Sequence, residues 1–145
     1  ILTRYSSSST MFNPYINGAL TRHLNWSLKF SWFHSMMGIM DITNQTNDSY
    51  VYSGDITVLP CSLLTWTIGG EFYRNQLECG SYKNMTMLDT KFTFNISKKV
   101  DMSLSGTNLL NKRSYSYTTF CTLSQLESST RLLGREFMIT VHLKK

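Results

Sequence analysis

The sequence is poor in charge, in proline and in long apolar runs. Charged residues make up 16% of the 145 positions, whereas a soluble domain carries about 25%. No stretch approaches the ~20 consecutive apolar residues of a membrane-spanning helix, which argues against a helical membrane protein. No charged segment followed by an apolar one opens the chain, so no signal peptide is visible. We therefore expect a mature chain, a cytosolic chain or a piece of something longer.

Cysteine is also scarce, with Cys61, Cys79 and Cys121 and no CxxC pair. No histidine lies at metal-ligand spacing from them, so no metal site is expected. Cys79 and Cys121 fall in predicted loops, where they either pair in an oxidising compartment or stay free. The net charge is +5, but the cations are scattered and no basic stripe or reading motif accompanies them, so nucleic acid is not an expected partner. No cofactor motif occurs: Gly69-Gly70 lies inside a predicted strand with no helix after it.

What the sequence does contain is a repeated alternation of polar and apolar residues. In residues 24–32, every even position is leucine or an aromatic and every odd position is asparagine, serine or lysine. A period of two places successive side chains on opposite faces of a β-sheet. One face is then rich in large aromatics, while the other carries hydroxyls and amides instead of dense charge. We expect lipid on the first face and a wet interior on the second.

The alternation predicts seven antiparallel strands in an up-and-down meander, over residues 11–21, 24–37, 50–59, 63–74, 85–97, 100–109 and 132–143. Tight turns join them on one side, and longer loops on the other, at residues 1–10, 38–49, 75–84 and 110–130. Strands in globular proteins usually have five or six residues, whereas crossing a bilayer takes about nine to eleven. Transmembrane β-barrels typically have long strands, with short turns on one side and long loops on the other. The three tryptophans would supply the aromatic girdles at the two membrane–water interfaces.

Two alternatives remain open. A soluble β-barrel carrier of a lipid-like ligand would turn the aromatic face inward, although the low charge and lopsided loops count against it. An open edge cannot sit in hydrocarbon, and bacterial barrels close with an even number of strands. Seven strands therefore predict the final part of a larger barrel. A missed strand in residues 1–10 or 115–123 would instead make a complete small barrel with a structural or adhesion role.

The last third of the chain carries a family resemblance. Residues 108–112, Asn-Leu-Leu-Asn-Lys, followed by Tyr115 and Tyr117, resemble the Asn-Leu-Phe-Asn-Lys…Tyr segment near the C-terminus of TonB-dependent outer-membrane receptors. Gly134-Arg135 is similar to the motif that precedes the closing strand of that family. The Ser/Thr-rich gap between them resembles the Bacteroidetes branch, which includes SusC-like nutrient importers.

The resemblance implies a fold, a function and a location. Residues 1–145 would be the C-terminal segment of a barrel of about 22 strands, with the plug domain and the earlier strands outside this sequence. The function implied is import of a bulky nutrient, such as a glycan, siderophore or cobalamin, across the bacterial outer membrane. The implied partners are outer-membrane lipid, the TonB energy-coupling protein acting through the plug and, for the SusC type, a surface lipoprotein.

Four charged residues are the candidate substrate contacts, because the alternation places them on the lumen face: Asp55, Glu71, Asp89 and Lys91. They could touch substrate or form a catalytic carboxylate pair, but a hydrated ladder of cross-strand charges inside a wide barrel is the favoured interpretation. No motif links any of the three histidines to a serine nucleophile. We therefore do not expect an enzyme.

Overall fold

The chain is all-β in a computed structural model that describes residues 5–39, 43–77, 80–121 and 124–144. The strands within those ranges are β1 (Tyr5–Phe12), β2 (Tyr15–Thr21), β3 (Leu24–Ile39), β4 (Thr43–Cys61), β5 (Leu64–Gln76), β6 (Tyr82–Ser97), β7 (Val100–Thr107), β8 (Ser114–Cys121), β9 (Ser124–Arg131) and β10 (Glu136–Leu143). Eight of them form one antiparallel sheet, which we call the wall, and β8 and β9 form a separate hairpin. None of the described residues belongs to a helix long and apolar enough to cross a bilayer.

The wall is an up-and-down meander with seven strand positions. Its order is β1 and β2 together, then β3, β4, β5, β6, β7 and β10. β1 and β2 share one position because they pair with opposite halves of β3. The break between them lies at Pro14, which has no amide hydrogen to donate to the ladder and whose carbonyl accepts from the Phe30 amide at 3.1 Å. The predicted all-β, antiparallel architecture is confirmed, but the sheet does not close within the described residues.

The two ends of the wall differ in their connections. Two-residue turns at 22–23, 62–63 and 98–99 join strands at one end, which we call the turn end. At the opposite end, the loop end, β3 ends at Ile39, β4 begins at Thr43, β5 ends at Gln76 and β6 begins at Tyr82, and the inserted hairpin lies there. The predicted short turns are present, but most of the residues predicted as long loops extend wall strands or form the hairpin.

Two segments predicted as loops are strands instead. Residues 5–10 belong to β1, which pairs with β3 from Tyr5–Ile39 to Phe12–Trp32. Most of residues 38–49 extends β3 and β4, whose ladder runs to Ile39–Thr43. The serine run in residues 6–9 has no period of two, and the polar run in residues 43–49 is typical of a loop. The local sequence pattern therefore did not predict strands in either segment. Pairing with distant residues decides strand length, and such tertiary context overrides local preference.

The predicted loop at 110–130 is also wrong, because β8 and β9 pair there as a regular hairpin. These additional strands do not close the sheet into a barrel. β1 pairs with β3 beside β2 and adds no new strand position, and the hairpin forms a separate sheet. β7 instead pairs directly with β10, with Thr107 opposite Glu136. Cys79 lies outside the described residues, and so does the choice between its pairing with Cys121 and a free thiol.

The two faces of the wall are chemically unlike, as predicted. Even positions of β3 to β7 and odd positions of β10 form what we call the apolar face, and the remaining positions form the polar face. Aromatic rings on the apolar face meet across strands: Tyr52 lies 4.9 Å from Phe30 and 6.0 Å from Phe72 between ring centroids, and Trp66 stacks on Phe92 at 5.4 Å. No described hydrophobic residue is buried. The described residues therefore provide no cover for the apolar face.

Candidate functional site

The four charged residues predicted as lumen contacts line one depression on the polar face, with a volume of about 260 Å³. Asp55 and Asp89 lie on the two strands that flank Gly69 and are each paired directly with it. A Cβ atom at position 69 would lie 2.7 Å from Asp55 Oδ1. The missing side chain of Gly69 thus opens the floor of the depression between the two carboxylates.

Each carboxylate in the depression already has a fixed partner. Asp55 accepts from the Ser27 hydroxyl at 3.1 Å, Asp89 accepts from the Asn108 amide at 2.7 Å, and Glu71 accepts from the Tyr73 hydroxyl. Within the described ranges, none of the four charged residues forms an ion pair with another. The three carboxylates are therefore held in place without being neutralised by Lys91, and their charges remain available to a polar ligand.

The depression offers both acceptors and a donor to a polar ligand. Among the residues that the structure describes, no group of three or more His, Cys, Asp or Glu side chains could hold a metal ion. The depression combines three acceptor carboxylates with Lys91, whose ammonium group has three donors. Such a set recognises hydroxyl, amine or carboxylate groups by direct hydrogen bonds. The structure brings the predicted residues together, and their contact with a substrate stays a prediction.

The hairpin covers the polar face at the loop end of the wall. The Asn47 amide donates to the Thr118 carbonyl and the Asn75 amide donates to the Ser116 carbonyl, both at 3.1 Å, and the Lys83 ammonium donates to the Ser116 hydroxyl at 2.8 Å. Asn47 and Asn75 are only 5% and 3% exposed. Their odd numbers in neighbouring strands put both asparagines on the polar face. The sequence analysis missed this contact because Asn47 and Asn75 stood in predicted loops.

A row of tyrosines connects the depression with the hairpin. Ring centroids of Tyr73 and Tyr115 are 5.5 Å apart, and those of Tyr115 and Tyr117 are 5.6 Å apart. Tyr73 also donates its hydroxyl to Glu71 in the depression. The polar face thus offers aromatic surface next to fixed carboxylates, so a ligand can both stack and form hydrogen bonds there.

The segment that resembles the receptor family forms the base of the hairpin. Asn108 and Asn111 have φ angles of 50° and 54°, in the left-handed region that asparagine tolerates better than most residues. The Asn108 side chain donates to the carbonyls of Lys112 and Leu133 at 2.7 and 2.8 Å and accepts from the Lys112 amide at 2.9 Å. The Asn108 side chain therefore holds the two ends of the insertion together. The backbone amide of Asn108 links them to Asp89.

A second asparagine continues this clamp toward β10. Asn111 Oδ1 accepts from the Arg135 amide at 3.2 Å, and Arg135 Nε donates to the Leu109 carbonyl at 3.0 Å. A Cβ atom at Gly134 would lie 3.0 Å from Asn111 Oδ1, so the close approach favours glycine there. Both halves of the sequence resemblance, residues 108–112 and Gly134-Arg135, thus meet in one hydrogen-bonded cluster.

Comparison with known proteins adds no relative. No family model, no curated protein and no solved structure matches the chain.

Replacing Asn47 and Asn75 together with alanine should release the hairpin from the polar face. Each buried hydrogen bond contributes about 0.5–1.5 kcal/mol, so losing both should raise amide exchange rates in β8 and β9 by roughly ten- to a hundredfold. Hydrogen–deuterium exchange of the full-length protein measures this, with Asn84→Ala on the apolar face as the matched control. Unchanged exchange in β8 and β9 would show that the two asparagines do not hold the hairpin.

Proposed function

We propose that the chain is the C-terminal part of the barrel wall of a TonB-dependent outer-membrane receptor that imports a bulky nutrient of the glycan, siderophore or cobalamin type. The observation that carries this proposal is the uncovered apolar face: no described hydrophobic residue is buried, although aromatic pairs run across the strands. Burial of such a face is the main favourable term in folding. A bilayer supplies the cover that the described residues do not.

The height of the apolar face supports a membrane. Along β5 it runs from Leu64, which pairs with Phe94, to Arg74, which pairs with Tyr50, and these two residues are ten positions apart. At 3.4 Å per residue this spacing is about 34 Å along the strand. A barrel strand tilt near 40° reduces it to roughly 26 Å, close to the apolar band of about 25 Å on outer-membrane barrels.

The position of the hairpin favours the membrane proposal over a soluble carrier. In a carrier the aromatic face would enclose the ligand and the polar face would meet water. Here β8 lies against the polar face through buried asparagines, while the apolar face has no such cover. A polar face that holds an inserted segment is what the lumen of a large, plugged barrel requires.

The unpaired outer edges support a larger barrel over a complete small one. Within the described residues, β10 pairs only with β7, and β1 and β2 pair only with β3. Unpaired backbone groups cannot remain in hydrocarbon, because each one costs several kcal/mol there. Further strands of the same protein would pair with both edges and bring the total to the number implied by the family resemblance.

In this proposal the described residues serve as wall and as ligand contact. The depression formed by Asp55, Glu71, Asp89 and Lys91 faces the lumen below the hairpin. Energy coupling to the TonB protein takes place through a plug outside this sequence, and a surface lipoprotein assists capture from the loop end. This chain supplies no catalytic step.

Membrane fractionation and uptake measurements on the full-length protein test the proposal. We expect the protein to sediment with the outer membrane and to resist carbonate extraction. Growth on the imported nutrient should fall to background when the energy-coupling protein is deleted, as it does when the receptor itself is deleted. A full-length protein that stays folded and monomeric in detergent-free buffer would contradict the proposal and favour the soluble carrier.

A further inference from the structure

We propose that the apolar face carries a binding site for a lipid whose headgroup bears a phosphate, with Arg74 at the phosphate and a groove at Gly54 and Gly70 for an acyl chain. This inference rests on the proposed function, because it assumes that the apolar face meets a bilayer. It adds a specific lipid site to a surface that would otherwise be a uniform contact with hydrocarbon.

Arg74 is the feature that points to an anionic headgroup. It lies on the apolar face of β5, between Tyr50 of β4 and Asn84 of β6, and it is exposed. Its guanidinium carbon lies 4.4 Å from the centroid of the Tyr82 ring. Among the residues that the structure describes, Arg74 has neither an ion pair nor a hydrogen-bonding partner for its guanidinium group. A guanidinium at the edge of an apolar band fits a phosphate, which it binds through two parallel hydrogen bonds.

The surroundings of Arg74 leave its charge available. Among the described residues, Asp48 is the acidic side chain on the same face at the loop end, but it accepts from Trp32 Nε1 at 3.1 Å and lies 2.9 Å from His34 Nδ1. Arg74 instead shares a hollow of about 170 Å³ with Tyr50, Tyr52 and Tyr82. Tyrosines suit the headgroup level of a membrane, because the ring contacts apolar groups while the hydroxyl reaches polar ones.

A separate apolar groove lies nearer the middle of the same face. On the apolar face of β4 and β5, the pair that follows Tyr50–Arg74 is Tyr52–Phe72. The next pair on this face is Gly54–Gly70. A groove of about 530 Å³ lies there, lined by both glycines together with Leu28, Ile56 and Ile68. Leu28 lies over Gly54, and the open space is over Gly70. Gly70 is four residues from Arg74, about 14 Å along the strand. A lipid with its phosphate at Arg74 therefore reaches the groove with an acyl chain.

Lipid binding to the full-length protein in detergent, measured by native mass spectrometry, tests the site. The probes are phosphatidylglycerol, which is anionic, and phosphatidylcholine, whose phosphate is balanced by a cation. We expect Arg74→Gln to weaken phosphatidylglycerol binding about tenfold. Lys29→Gln removes the same charge from the polar face and should change nothing. Gly70→Leu should weaken both lipids, since a Cβ there meets only the Met87 carbonyl at 3.9 Å and the added side chain fills the groove.

The outcomes separate this inference from the proposed function. Unchanged phosphatidylglycerol binding by Arg74→Gln, or equal losses in Arg74→Gln and Lys29→Gln, overturns the lipid site and leaves the receptor proposal standing. Competition by an equal concentration of inorganic phosphate would show that the groove contributes nothing, and it also overturns the site. A protein that enters neither micelles nor bilayers overturns both proposals.

Discussion

Replacing Leu28 with arginine should lower the free energy of unfolding of the full-length protein in a lipid bilayer by about 2–4 kcal/mol, the cost of a cation on the lipid face at the bilayer midplane. Leu28 is 58% exposed on the apolar face. It lies in the same cross-strand row as Gly54, midway between the Leu24 and Trp32 rows. Guanidinium titration in lipid vesicles measures the loss.

Ser53→Arg is the matched control for this substitution. Ser53 lies on the polar face next to Gly54 and opposite Lys29 and Glu71, where water or a neighbouring carboxylate can accommodate a new cation. Its effect should stay within about 0.5 kcal/mol, as for other solvated positions. If Ser53→Arg instead costs as much as Leu28→Arg, or more, then the apolar face does not meet lipid.

Replacing Asn108 with alanine should destabilise the insertion by about 2–4 kcal/mol. Asn108 is 4% exposed, and its side-chain amide group makes three hydrogen bonds, two with the Lys112 backbone and one with the Leu133 carbonyl. Buried backbone groups left without a partner cost about 1–3 kcal/mol, and an alanine in the left-handed region adds roughly 1–2 kcal/mol. Denaturant titration gives the total, and hydrogen exchange over residues 108–135 shows where the protection is lost.

Asn108→Gly separates the two contributions. Glycine accepts the φ of 50° without strain, so this variant should keep the backbone and lose only the hydrogen bonds. It should be more stable than Asn108→Ala by about 1 kcal/mol. Equal stability of the two variants would show that alanine is not strained at this φ angle. A loss below 0.5 kcal/mol in both would show that Asn108 does not clamp the hairpin.

The inner part of the wall could be predicted from sequence because its signal is local. In β3, leucine and aromatics alternate with polar residues from Leu24 to Trp32, and the fold keeps that alternation as two faces. The same alternation predicts one face for four odd-numbered residues, Asp55, Glu71, Asp89 and Lys91. The structure brings them to one depression on that face. A strict period of two determines which side of a sheet a residue occupies wherever the strand is continuous.

The loop end could not be predicted because its structure depends on distant partners. The serine run in β1 shows no alternation, yet it pairs fully with β3. β8 alternates serine and tyrosine from Ser114 to Tyr117, which indicates a strand but not its partner. Its position is fixed by asparagines 41 and 71 residues earlier in the chain. Side-chain contacts over such separations leave no periodic trace in the sequence. The receptor-like motif marked the base of the hairpin but not where its strands lie.

The direct pairing of β7 with β10 has a consequence for how this protein can change. Residues 108–135 leave the ladder at Thr107 and return to it at Glu136, opposite the same residue. The register of the wall is therefore independent of the length of the insertion. Doubling a flexible loop costs only about 0.6 kcal/mol in closure entropy. The segment can thus be exchanged or lengthened while the wall strands keep the same register.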